Sequence, residues 1–389
     1  MSDFRLVDPS QIQHAIFIRR PNRFIVECLL NGNIILAFLP NPGRLWELLF
    51  PGRKLMISKK RADSKRKTDY TVLAVIVEDH PIMLDTHSAN SLAEWLVSNN
   101  MINGLEGWKV KRAEVKYKRS RFDFLLHDGK NDYYLEVKSC TLFGKDIAMF
   151  PDSPSERASR HIIELAELAK KGYRCGILFI IQSPFPRYFL PDFHTDPLFA
   201  KYLSSARDLL DIFPVPVYWE NDLKVSRVGG SLEIPWAVME KESGDRGSYL
   251  VILELENVQS VSVSSHEKRY FRSGYYVYIA SAAKDLDRKM ARDGRKRKNS
   301  SYYLRDLSRV IKVLPVRSSV SLEQDLTKAV HALSDNKIPS FAFSSYNTES
   351  DLFYFESNPL KNEGFIKALF FFRMDNLMNL LNLDHGKDA

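Results

Sequence analysis

RFDFLLHDGKNDYYLEVKS, residues 121–139, holds Asp123 and then, after twelve intervening residues, the triplet Glu136-Val137-Lys138. Phe122, Phe124 and Leu126 alternate with Asp123 and Leu125, and Tyr133, Leu135 and Val137 alternate with Tyr134, Glu136 and Lys138. Each flank therefore has the two-residue period of a strand. The segment from His127 to Asp132 between them is turn chemistry. A hairpin folded about Gly129 and Lys130 sets Asp123 opposite Glu136; one folded about Asp128 and Gly129 makes them diagonal neighbours on the same face. Both registers predict two carboxylates side by side. Cross-strand Cβ atoms lie about 5 to 8 Å apart, within reach of one cation whose oxygen ligands sit at about 2.1 Å. Like charges held so close otherwise repel until one takes up a proton. Lys138 beside them would orient a water or hold a phosphate. The bland alternative is an exposed hairpin with scattered charges.

The flanking sequence weighs on that choice. Upstream, KRAEVKYKRSR carries Glu114; downstream, MFPDSPSERASRHIIELAELAKKG reads as a helix. Ser153 or Ser155 can cap it, Ile162, Ile163, Leu165, Ala166 and Leu168 form its apolar stripe, and Gly172 can end it. Arg157 and His161, four apart, are neighbours on that helix, with Arg160 close by, and they could reach phosphates. The apolar run from Cys175 to Ile181 has the length of a buried strand, so the predicted order is hairpin, helix, strand.

With these motifs in order, the chain resembles the sugar fermentation stimulation protein A family, whose core is a restriction-endonuclease-like domain of the PD-(D/E)XK type. The resemblance covers roughly residues 12–225 and rests on LPNPGRLWELLFPG, RKTDYTVLAV, RFDFLL, YYLEVKSCTL and FPDSPSERASRH. By position it implies Asp123 and Glu136 on a metal, Lys138 at the water or scissile phosphate, and Glu114 as a supporting acid. Arg157 and His161 fall in a further family motif. One departure lies in the first motif, where the family's His-Leu-Pro-Asn-Thr-Gly-Arg reads Phe38-Leu39-Pro40-Asn41-Pro42-Gly43-Arg44.

Before the nuclease-like region, RFIVECLL, NIILAFL and TVLAVIV are short strands separated by turn signals at Asn31-Gly32 and Pro51-Gly52. Strands at this spacing point to a small barrel or sheet, and the resemblance implies an OB-like module, a fold that commonly grips single strands. Lys59, Lys60, Arg61, Lys65, Arg66 and Lys67 form a basic run that is either a solvated loop or a phosphate contact. Arg44, in a Pro-Gly-Arg turn, has the same two readings.

Past residue 225, VGGSLEIPWAVMEKESGDRGS reads as a connection. From Gly247, the runs GSYLVILEL, FRSGYYVYIASA, LDRKMARDGRKRKNSSYYLRDL and PSFAFSSYNTESDLFYF are similar to the GIY-YIG-like domain of the DUF123 family. Tyr249, Tyr278 and Arg288 match the two tyrosines and the arginine of that pattern. Ala280 replaces a glycine, Asp293 a histidine, and Ser301-Tyr302-Tyr303-Leu304-Arg305 a His-Trp-His-Ile-Asp block; Tyr346, Thr348 and Asp351 replace cysteines and a histidine. Losing these together argues for a domain that binds or braces rather than cuts. Arg288 to Lys298 still carries seven basic residues and one acid, enough to hold a phosphate backbone.

A chain of 389 residues with 44% hydrophobic content can form two or three domains, and a net charge of +8 favours polyanionic partners. Three scattered cysteines form no metal or disulfide pattern, and no apolar span approaches twenty residues. A cytoplasmic protein without a membrane segment is expected, with homo-oligomers open. The tail from Phe365 to Leu383 has helical spacing suited to core packing or a dimer contact. The expected architecture is α/β and α+β multidomain: an OB-like β-barrel module (1–90), a PD-(D/E)XK domain (91–225), a linker (226–246) and a degenerate GIY-YIG-like domain (247–389). The expected chemistry is phosphodiester hydrolysis on DNA or RNA with Mg2+ or Mn2+ held by Asp123, Glu136 and the Val137 carbonyl. Glu114 and Lys138 would assist, and Arg44, Arg66, Lys67, Arg157, Arg160, His161, Tyr249, Tyr278 and Arg288 would contact the strand. The alternative is a non-catalytic DNA-binding regulator of sugar-metabolism genes.

Overall fold

Alternating apolar residues and an Asn-Gly turn build the first element. β1 (Ile12–Asn22), β2 (Ile25–Leu30) and β3 (Asn33–Phe38) form a meander in a computed structural model describing residues 3–60, 66–262, 268–295, 304, 308–341 and 350–385. Asn31 and Gly32 both take positive φ, 49° and 81°, the requirement of a tight two-residue hairpin. β4 (Lys54–Lys59), β5 (Tyr70–Val77) and β6 (His80–Met83) continue the sheet in the order β3-β2-β1-β4-β5-β6. A parallel pairing of β3 with β5, Ala37 to Tyr70 and Phe38 to Thr71, closes it into an OB-like barrel filled by Val26, Leu39, Leu55, Ile57 and Val72.

The second element is a mixed sheet. β7 (Lys109–Tyr117), β8 (Ser120–His127) and β9 (Asp132–Cys140) run antiparallel, while β9 pairs in parallel with β12 (Arg174–Ile181), and β12 with β14 (Asp211–Trp219). β15 (Val225–Val228) ends the order β15-β14-β12-β9-β8-β7. Between them, β10 (Leu142–Phe143), β11 (Ile147–Phe150) and β13 (Tyr188–Pro191) form a small side sheet. β12 is buried on both faces, which explains its unbroken apolar sequence. Leu178 and Ile180 pack on the side of α1 (Ala89–Ser98), and Ile177, Phe179 and Ile181 on the side of α2 (Glu156–Lys170) and α3 (Pro197–Ser205).

Ser155, not Ser153, caps α2, accepting from the Ala158 N–H at 3.1 Å, and Gly172 lies just past its end with φ 93°. Ile162, Leu165 and Leu168 face the sheet, whereas Ile163 points outward. The stretch from 226 to 246, expected as a connection, contributes most of β15 and the helix α4 (Trp236–Glu242).

The chain divides into two compact units, Met1–Trp236 and Ala237–Ala389. In the second, β16 (Gly247–Leu255) and β19 (Gly274–Ala282) pair across their full lengths, flanked by β20 (Arg309–Arg317) on one side and β22 (Ser350–Phe355) with β21 (Asn336–Phe341) on the other. β17 (Gln259–Ser262) and β18 (Lys268–Phe271) form a separate hairpin. Helices α5 (Leu286–Gly294), α6 (Glu323–Leu333) and α7 (Glu363–Arg373) accompany this sheet. The expected single C-terminal helix is broken: α7 ends at Arg373, a short 3-10 turn spans Asp375–Leu377, and α8 begins at Met378. Among the described residues no helix is long and apolar enough to cross a membrane, and all three cysteines are free and buried.

Candidate active site

β8 and β9 pair from His127 with Asp132 to Phe124 with Leu135. That register continues to Asp123 opposite Glu136, but the ladder stops one step short, and Asp123 turns its carboxylate to the backbone it would have paired with. Its Oδ2 accepts from the Val137 N–H at 2.8 Å and its Oδ1 from Asn90 Nδ2 at 2.9 Å. β8 also changes face here, with Phe124 in the core under α1 but Phe122 in the core under α2. On the other neighbour, β7 pairs Ala113 with Phe124 and Val115 with Phe122, skipping Glu114, whose φ is 54°. A non-glycine residue with positive φ is unusual and costs backbone strain. Both ladders are thus interrupted around Asp123.

Glu136 is 2% exposed. Its Oε1 accepts from Lys138 Nζ and from His161 Nδ1, the latter at 2.5 Å, while its Oε2 is buried without a partner. Burial pulls this acid upward, but Lys138 and His161 outweigh it and hold its pKa below the usual value. Asp123 goes the other way, raised by burial and then by the negative charge of Glu136. Two neighbouring carboxylates with opposed shifts and one orphaned buried oxygen are short of positive charge. A divalent cation fits that deficit, since a carboxylate oxygen that accepts one hydrogen bond retains a lone pair. Among the described residues, however, no group of three or more His, Cys, Asp or Glu side chains converges as a metal cage.

These groups open onto a cleft of about 590 Å3 that is shared with the barrel. Asn41 and Gly43 line it from the barrel side, Arg157 and Asp152 from the other. Asp152 Oδ2 accepts from the Arg44 N–H at 2.7 Å, and Arg20 donates from Nη1 to the carbonyls of Gly43 and Arg44, at 2.7 and 2.8 Å, and from Nη2 to that of Asn41 at 2.9 Å. The 41–44 turn is therefore a clamped structural turn. The Arg44 guanidinium lies over the Trp46 ring at 5.1 Å. Asn90, Arg20 and Asp152 were not legible as site residues. Asn90 at the start of an amphipathic helix has the sequence signal of a cap, and its contact with Asp123 spans 33 positions.

Glu114 lines the cleft but is exposed and paired with Arg121 at 3.0 Å. Arg66 stacks over Phe38 at 4.7 Å and bonds the Thr71 hydroxyl at 2.8 Å; Lys67 is exposed; Arg61 and Lys65 lie outside the described residues. Arg157 is exposed at the head of α2, with Arg160 and the buried His161 on the same helix.

In the second unit the tyrosines are not brought to the surface. Tyr249 is 1% and Tyr278 3% exposed, both inside the core. A base could not stack on a ring enclosed in this way. The Tyr249 hydroxyl donates to Asp293 Oδ2 at 2.7 Å, and Arg292 Nε donates to Asp293 Oδ1 at 2.9 Å, so Asp293 is absorbed into a buried network. Arg288 is exposed and 3.8 Å from Asp285. Residues 296–298, most of the 301–305 block, Tyr346 and Thr348 lie outside the described residues; Asp351 pairs with Lys337 at 2.7 Å.

Three family models match the chain: the SfsA N-terminal OB domain over residues 18–84, the sugar fermentation stimulation protein RE domain over 87–218, and a domain of unknown function, DUF123, over 248–370. A sugar fermentation stimulation protein homolog of Methanothermobacter thermautotrophicus is 35% identical over 49% of this chain and 80% of its own length. One from Ruminiclostridium cellulolyticum is 39% identical over 50% and 85%. Pyrococcus furiosus SfsA, solved in complex with Ca2+, is 31% identical with a TM-score of 0.55, covering 59% of this chain and 99% of its own. With barrel, mixed sheet and relatives in agreement, the chain belongs to the sugar fermentation stimulation protein family.

Proposed function

We propose that the chain binds nucleic acid along the cleft and hydrolyses phosphodiester bonds there with a divalent cation, Mg2+ or Mn2+. The observation that carries this is the orphaned, buried Oε2 of Glu136 beside Asp123. Asp123, Glu136 and the Val137 carbonyl would hold the ion; when bound, it neutralises phosphate charge and acidifies water. Glu136 stays ionised through Lys138 and His161, and Asn90 fixes the orientation of Asp123. Lys138, tied to Glu136 and lining the cleft, places a cation where an attacking water or a phosphate oxygen would sit. Arg157 at the cleft wall adds charge for the strand. The Ca2+ held by the Pyrococcus furiosus relative supports an oxygen-lined cation site.

A second reading is a strand-binding regulator that keeps the fold without turnover, in which Lys138 and His161 serve only to neutralise Glu136. Cleavage of single- and double-stranded DNA and RNA, with and without Mn2+, separates the two. Asp123→Ala and Lys138→Ala are expected to lower the rate by about 100-fold or more while the strand still binds. Equal nicking by wild type and both variants would remove the enzymatic assignment, and salt-sensitive binding without cleavage would establish the regulator.

A further inference from the structure

Behind the cleft, on the far side of Arg157, lies a second pocket of about 440 Å3 between the β7–β8 turn and the first turns of α2. Lys116, Arg119, Arg157 and Arg160 line it, and among the described residues none of the four has a carboxylate within ion-pair distance. Lys118 and Arg121 also reach it but are neutralised by Glu167 and Glu114. The floor is Ser120, 3% exposed, whose N–H donates to Glu164 Oε2 at 3.1 Å and whose hydroxyl is buried without a partner. Arg160 Nε is likewise buried and unpartnered. Two buried unsatisfied donors beneath cations without carboxylate partners match an anion with several acceptor oxygens. His161 forms the wall between the two sites, lining this pocket while its Nδ1 is bonded to Glu136.

We propose that this pocket is a phosphate subsite, separate from the cation site, that holds a second phosphate of the same nucleic-acid strand and so fixes which phosphodiester lies at Glu136. The assignment of a strand as the ligand rests on the function proposed above; the pocket's affinity for phosphate does not. The phosphate is either a terminal phosphomonoester or one within the chain. Both present the same oxygens to Arg119, Arg160 and the Ser120 hydroxyl.

The test uses the full chain with EDTA, so that no strand is cut. Inorganic phosphate is titrated calorimetrically into wild type, Arg119→Ala, whose side chain is exposed and whose loss leaves the core intact, and the double variant Arg119→Ala/Arg160→Ala. Saturable binding in wild type, weakened about ten-fold for each guanidinium removed, is expected. Binding that is absent, or unchanged in the double variant, overturns the subsite. Short single strands with a 5′-phosphate, a 3′-phosphate or hydroxyl ends then distinguish the source. A preference for one phosphorylated end that vanishes in the double variant identifies a terminal phosphate; equal affinities that fall together identify a chain phosphate; affinities the variants leave untouched again overturn it. Phosphate binding without any cleavage in the Mn2+ assay would defeat the hydrolytic function alone, and cleavage whose position ignores these variants would defeat the subsite alone.

Discussion

Glu47 is the side chain whose titration should be easiest to see. Burial, followed by repulsion from Asp152, pushes its pKa up to about 8, and its Oε1 is buried without a partner. An acid raised in the folded state binds its proton more tightly there than in the unfolded chain. Its contribution is therefore full below the unfolded pKa and is lost as pH rises towards 8. Melting temperature is expected to fall between pH 5 and 8 for wild type, and Glu47→Gln to flatten that slope and stabilise the protein at pH 8, by about 2 kcal/mol. An unchanged slope in thermal melts of the variant would place the titration elsewhere. Glu136 has the opposite sign: its lowered pKa makes its contribution disappear as pH falls.

At the scale of elements, the 41–44 turn is held to the barrel by Arg20 and to the loop between β11 and α2 by Asp152. A Cβ at Gly43 would stand 2.2 Å from Asp152 Oδ2 and 2.9 Å from Asn41 Oδ1. Gly43→Ala is expected to break the bond from Arg44 N–H to Asp152 and to cost about 1 to 3 kcal/mol in chemical denaturation. Ser155→Ala, which removes the cap of α2, should cost about 1 kcal/mol in the same measurement. The α2 cap, its Arg157/His161 pair and the β8–β9 hairpin were readable in sequence because each rests on contacts a few residues apart. Asn90 and the KYKRSR turn were not, because what gives them meaning is a partner brought up by the tertiary fold. Tyr249 and Tyr278, expected from motif position to contact the strand, are enclosed in the core for a related reason: motif position does not reveal that β16 and β19 are central strands.

For the molecule as a whole, a net charge of +8 would make the proposed strand binding an ion-exchange process. The logarithm of the association constant is expected to fall linearly with that of salt, with a slope near −0.7 for each single-strand phosphate engaged, so roughly one such step is lost when Arg157 is replaced by Ala. A slope the variant leaves unchanged in fluorescence anisotropy would show that Arg157 touches no phosphate. The family's two models end by residue 218, inside the first compact unit, and 99% of the Pyrococcus furiosus chain is matched by 59% of this one. Composition and motif put the start of the last domain at Gly247 after a connection from residue 226, whereas the compact units part between Trp236 and Ala237; the strand and helix inside that stretch were not legible, since Gly and Pro there mask a short apolar pattern.

The parting of β8 from β9 at Asp123 also bears on how this fold can evolve. Backbone ribbons that are free to zip together tend to do so, and here an acid occupies its neighbour's amide in place of a backbone partner. An apolar replacement would free that amide for the facing strand and remove a buried charge, so relatives lacking an acid here are expected to be the sturdier ones.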